Sequence, residues 1–148
     1  MYRRLLQSAF ILQSAFILLL GMSMAAHAAG PSRSQRNKLG ETQEAYVAAI
    51  RWNDFDTAEN FIDPQYLQAH PMSDLQRERY QQVQVSGYRE RSSAVGPDGT
   101  VERRIEARVI NRNTQAERTV VLTERWRWDP QAKHWWQTQG LPDLWQGQ

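Results

Sequence analysis

The chain has 148 residues, 18 basic and 16 acidic side chains, 41% hydrophobic residues and no cysteine. Lack of cysteine excludes disulfides, thiol chemistry, cysteine–zinc sites and a lipid-carrying N-terminal cysteine. Arg3 and Arg4 account for the +2 excess, and beyond them the charges balance; nucleic-acid binders need clustered positive charge, which is not the pattern here.

The N-terminus reads as a secretory signal. Arg3 and Arg4 precede an apolar run over residues 5–20, and small residues follow as far as Ala26-His27-Ala28. That layout predicts cleavage after Ala28 and a periplasmic or secreted product. Gln7, Ser8, Gln13 and Ser14 interrupt the run, whereas a membrane span wants about 20 predominantly apolar residues. Residues 6–11 recur immediately as 12–17, which reads as a tandem duplication inside the signal. The expected division is signal 1–28, flexible leader 29–38, and one domain over 39–148, a length that suits a single core.

Residues 39–52 predict a first helix. Leu39, Gln43, Tyr46, Val47 and Ile50 recur at three- and four-residue spacings, and Ala45, Ala48 and Trp52 widen the apolar face. Asp56 and Glu59 fit a capping box for a second, short helix that stops at Asp63-Pro64. Residues 65–72 read as irregular. Ser73 and Gln76 form another capping box that opens a brief helix.

From Gln82 the period changes to two. Gly87 marks a bulge, because Val83 and Val85 share a parity that Tyr88 breaks. Gly96-Pro97-Asp98-Gly99 is a turn. Val101, Ile105, Ala107 and Val109 then alternate with charged residues. Val120, Leu122, Trp126 and Trp128 share one face of the next strand, and Asp129-Pro130 ends it. A last strand covers about 134–139. Helices first and strands after, without alternation, predict an α+β fold. The N-terminal helices pack on a curved four-stranded antiparallel meander.

The hairpin over 124–142 holds four of the six tryptophans: Trp126, Trp128, Trp135 and Trp136. It is too apolar to stand alone in water and needs the first helix as its cover. Trp135 and Trp136 are adjacent, so one of them faces away from the core.

The segment over 48–64, AAIRWNDFDTAENFIDP, resembles the opening of NTF2-like (SnoaL-like, cystatin-fold) domains. The WRWDP…HWW hairpin and the closing GLPDL are similar to small exported envelope proteins of that kind. The resemblance implies a helix-on-sheet domain. It leaves function open, since such domains include isomerases and dehydratases as well as binding and assembly modules.

Candidate site residues follow from this frame. Tyr46, Trp126, Trp128, Trp135, Trp136 and His134 could line an apolar pocket between helix and sheet; equally, the indoles on the Val120 face could simply be core. His70 and His134 are the histidines beyond the signal, and neither has an acid partner at a catalytic spacing. Asp54, Asp56 and Asp63 sit where helix caps are expected. No metal-ligand spacing, nucleophile elbow or glycine-rich phosphate loop occurs, so no metal and no cofactor is expected. The stripe that includes Arg103, Arg104, Arg108, Arg118, Arg125 and Arg127 with Glu102, Glu106, Glu117 and Glu124 reads as a solvated sheet face with cross-strand ion pairs. The expected function is an exported, non-catalytic module that binds an envelope protein, an apolar small ligand or a second copy of itself. The alternative is a small isomerase or dehydratase acting on an apolar molecule, with Tyr46 the residue to test.

Overall fold

The structure is a computed structural model that describes residues 30–146. The expected signal and its cleavage site lie outside those residues. Four helices come first: α1 (Arg33–Arg51), α2 (Phe55–Glu59), α3 (Pro64–Ala69) and α4 (Asp74–Gln81). Four strands follow: β1 (Val83–Val95), β2 (Val101–Asn111), β3 (Glu117–Asp129) and β4 (His134–Gln137). They form one antiparallel sheet in the order β1-β2-β3-β4. The fold class is therefore the expected α+β, with helices ahead of a four-stranded meander.

Several boundaries differ from expectation, each for a local reason. The leader was expected to run to residue 38, but α1 begins at Arg33. Ser32 accepts from the Gln35 amide, and the Gln35 side chain accepts from the Ser32 N–H. This reciprocal cap satisfies donors that would otherwise be orphaned, and it starts the helix two turns early. Asp54, rather than Asp56, caps α2 by accepting from Thr57. Residues 64–69 are helical rather than irregular: Asp63 caps and Pro64 takes the first turn, where a missing N–H costs nothing. The Ser73–Gln76 box opens α4 as its sequence indicates.

The face that α1 buries is Leu39, Gln43, Tyr46, Ala49 and Ile50. Val47 is only half-buried, and Ala45 and Ala48 are exposed. Trp52, expected to widen the apolar face, is 85% exposed at the C-cap. Its neighbour Asn53 has φ of 59°, a left-handed conformation that asparagine tolerates. Asn53 then binds the free edge of β1: its amide donates to the Val83 carbonyl, and its oxygen accepts from Val85 N–H at 3.4 Å.

The sheet is bulged at Gly87, as its parity break predicts, and again between Glu90 and Ser92. Its inner face buries Val83 and Val85 from β1, Val101, Ile105, Ala107 and Val109 from β2, and Val120, Leu122 and Trp126 from β3. Tyr46 meets Trp126 edge-on, with centroids 5.4 Å apart at 84°, and Phe61 at 6.0 Å. The first helix thus roofs the indole hairpin, and the roof is locked by T-shaped aromatic contacts. The edge of β4 is covered by the α2–α3 link, where Asp63 N–H donates to the Gln137 carbonyl at 2.8 Å and Gln137 N–H to Phe61 at 2.9 Å. The C-terminal residues fold back on the core: Leu144 is fully buried, and Tyr80 Oη donates to the Pro142 carbonyl at 3.0 Å.

Candidate ligand-binding site

The charged stripe does not lie wholly in solvent. Arg103 and Glu124 were expected on a solvated face, but both point inward, and Glu124 is 1% exposed. The reason is parity. Arg103 sits between Val101 and Ile105 on β2, and Glu124 between Leu122 and Trp126 on β3, so each shares the inner face of its apolar neighbours. The two residues are also direct cross-strand partners. Two further members of the stripe depart from a solvated face: Arg118 donates to the Leu144 carbonyl with its Nε buried, and Arg127 pairs with the buried Asp63 at 2.6 Å. Glu106, paired with Arg89 and Arg91, and Arg125, paired with Glu102, do face solvent.

Glu124 collects four donors. Arg103 approaches Oε2 with Nε at 3.0 Å and Nη2 at 2.6 Å. Trp126 Nε1 reaches the same oxygen at 2.9 Å. Tyr88 Oη donates to Oε1. Of the roughly four lone-pair sites of a carboxylate, the two on Oε2 are shared by three donors and one of the two on Oε1 takes the Tyr88 hydroxyl. Arg103 also reaches Glu90 through Nη1 at 3.4 Å and lies 5.9 Å from the Trp126 ring centroid. A guanidinium has five N–H donors, and two remain unengaged. Burial pushes the Tyr88 hydroxyl well above its ordinary range, with Tyr46 and the Glu124 charge acting in the same direction.

Two uncharged polar groups near this pair lack partners among the described residues: Tyr46 Oη and Gln43 Nε2. Each unsatisfied buried donor costs about 1–3 kcal/mol. Burial, and then the Glu124 charge, raise the Tyr46 hydroxyl far above its usual value. That phenol is a neutral donor, not a base.

A groove of about 360 Å³ opens beside this cluster. One wall is a stripe of α1: Gly40, Gln43, Glu44, Val47, Ala48 and Arg51. The floor is Arg103. The spacing of three and four residues places that stripe on the flank of the helix between its buried and exposed faces. The volume lies at the small end of ligand pockets. A second cavity of about 160 Å³ lies between β3 and the C-terminal segment, and Glu124, Gln137, Leu141 and Asp143 are among its lining residues.

The six residues singled out from the sequence do not come together around either cavity. Tyr46, Trp126 and Trp135 are wholly buried. Trp135 packs on Trp128 at 5.6 Å, and its Nε1 donates to the Gln35 carbonyl at 2.9 Å, tying β4 to α1. Trp128 is half-buried, with Lys38 Nζ 5.9 Å from its ring. Trp136 takes the opposite face, as adjacency requires, against His134 at 4.3 Å, and donates to Asp129 at 3.3 Å. Burial lowers the pKa of His134, against the pull of Asp129. His70 is exposed and stacked on Tyr66. Sequence reasoning missed Gly40, Gln43 and Arg103. The available signal was a glycine inside a helix and two polar residues at apolar-face positions.

Among the described residues no three His, Asp or Glu side chains gather to hold a metal, and no helix is long and apolar enough to cross a membrane. No protein-family model and no curated protein matches the chain. A solved structure of a proposed dehydratase of the NTF2-like family from Streptomyces avermitilis is similar, with TM-score 0.39 and 12% identity, covering 70% of this chain and 91% of that one.

Proposed function

We propose that the protein is an exported, non-catalytic binding module of the cell envelope, of NTF2-like kind, with the groove between α1 and Arg103 as its ligand site. The observation that carries this reading is the state of Glu124. A general base needs a free lone pair within reach of a substrate proton. Glu124 is charge-matched by Arg103, its Oε2 takes three donors and its Oε1 the Tyr88 hydroxyl, and it does not line the groove. The groove itself offers donors at its floor and only Glu44 as an acid, on the exposed side of the helix.

The isomerase or dehydratase reading draws on one observation, the free hydroxyl of Tyr46, which would suit an oxyanion donor. That hydroxyl is fully buried, and Tyr46 does not line either cavity.

Carbon-acid chemistry separates the two. The protein is incubated in D2O with a panel of ketones and β-hydroxy thioesters, and deuterium uptake is followed by NMR. Exchange at the buffer rate is expected. Exchange above it that disappears in Tyr46→Phe, with the fold intact, overturns the binding reading. Export is tested by N-terminal sequencing of the periplasmic fraction: a chain starting at Ala29 is expected, and one retaining Met1 in the membrane pellet refutes cleavage.

A further inference from the structure

We infer that the α1 groove takes a small, uncharged ligand bearing an amide. This rests on the groove being the ligand site proposed above and adds what the site recognises. Three features of the groove point the same way.

The first is Gly40. It lies inside a 19-residue helix, where glycine is the poorest residue other than proline. Glycine in such a place is ordinarily kept for a close approach by a neighbour. A Cβ built at Gly40 meets nothing within 4 Å, so no protein atom requires the gap. What the missing side chain does is hold the groove wall open.

The second is the chemistry of the floor. Gln43 Nε2 is buried without a partner, and Arg103 keeps two N–H donors beyond those given to Glu124 and Glu90. Donors want acceptors, and a carboxamide wants a partner with both. A ligand amide gives its carbonyl to an unengaged Arg103 N–H and its N–H to Gln43 Oε1. With the Gln43 amide rotated, Nε2 leaves the buried position in which it has no partner and takes the ligand carbonyl instead.

The third is local charge, which decides against an anion. Arg103 is already matched by Glu124 and faces Glu90. Arg51 and Glu44 offset each other along the wall. A carboxylate would enter a site with no net positive charge, lose its hydration, and meet Glu124 and Glu90 close by. A neutral amide meets the same donors without that penalty. Val47, Ala48 and Gly40 leave room for a short apolar arm.

The test uses isovaleramide and isovalerate, which share an arm and differ in the head group, titrated into the 15N-labelled mature chain. Saturable shifts at Gly40, Gln43, Val47 and Ala48 are expected with the amide. The amide should bind at least about fivefold tighter than the acid, the worth of one unmatched hydrogen bond. Gln43→Leu should weaken the amide about fivefold to tenfold while leaving the melting temperature unchanged or raised, because it removes an unsatisfied donor. Gly40→Leu should abolish the shifts without unfolding α1. Equal or tighter binding of isovalerate at the same residues overturns the amide inference and leaves the groove as a ligand site. Absence of saturable shifts at those residues with either probe overturns both.

Discussion

Replacing Arg103 with methionine tests the buried ion pair directly. Methionine approximates the length of the arginine stem and keeps packing on Trp126, but it withdraws both the positive charge and two of the four donors to Glu124. Glu124 stays 1% exposed with only Tyr88 and Trp126 to hold its charge. Stranding one member of a buried pair costs about 3–5 kcal/mol. Against a total stability of about 5–15 kcal/mol, that is a large share. For a domain of this size it lowers the melting temperature on the order of 10–25 °C. Adding Glu124→Gln in the same chain removes the stranded charge. The glutamine oxygen still accepts from Trp126 Nε1 and its amide donates to the Tyr88 hydroxyl oxygen, while that hydroxyl gives up its acceptor on Glu124. The double variant should recover to within about 1–2 kcal/mol of the parent, since a neutral pair replaces an ionic one. Urea unfolding followed by tryptophan fluorescence gives all three stabilities. A single variant within about 1 kcal/mol of the parent, or a double variant no better than the single, refutes the claim that this pair is buried and charge-matched.

Further outcomes follow from the same geometry. Trp135→Ala removes a wholly buried ring and its bond to the Gln35 carbonyl and should cost about 3–5 kcal/mol, whereas Trp52→Ser, at an 85% exposed position, should stay within about 0.5 kcal/mol by the same denaturation assay. Gly140 has φ of 78°, and a Cβ there would lie 2.5 Å from the Tyr66 ring, so Gly140→Ala should destabilise by more than about 1 kcal/mol and lower the melting temperature in calorimetry. Acid should weaken the fold through Asp54, Asp98, Glu106 and Asp129. Each is held below its ordinary pKa, chiefly by side-chain bonds from Thr57, Thr100 and Arg91 and, for Asp129, by the Ala132 amide. A depressed folded pKa means stability that is full above the unfolded value and lost as pH falls through the folded one. The melting temperature should therefore decline slightly below about pH 6.5, where the unfolded chain takes up a proton that burial of His134 disfavours, and fall more steeply from about pH 4 downward; a rise over that acid range would contradict these assignments.

What the sequence determined by itself was the order and kind of the elements. Period-two alternation in 101–109 and 120–128 was enough to predict strands, their inner faces and the meander, because a half-buried strand has only two faces to choose between. The burial of Trp126 beneath Tyr46 was legible for the same reason: no other element could keep that much indole from water. Local capping was legible in principle, and the Ser32–Gln35 box shows that the early start of α1 was written in four residues. The groove was decided only by tertiary structure. The inner parity of Arg103 and Glu124 was already in the sequence, but only the pairing of β2 with β3 sets them opposite each other as a pair. There an arginine and a glutamate can leave water only together. Gly40 and Gln43 take on meaning only once α1 lies beside that pair, since an open wall and an unmatched donor are properties of two surfaces brought near each other, not of either segment alone.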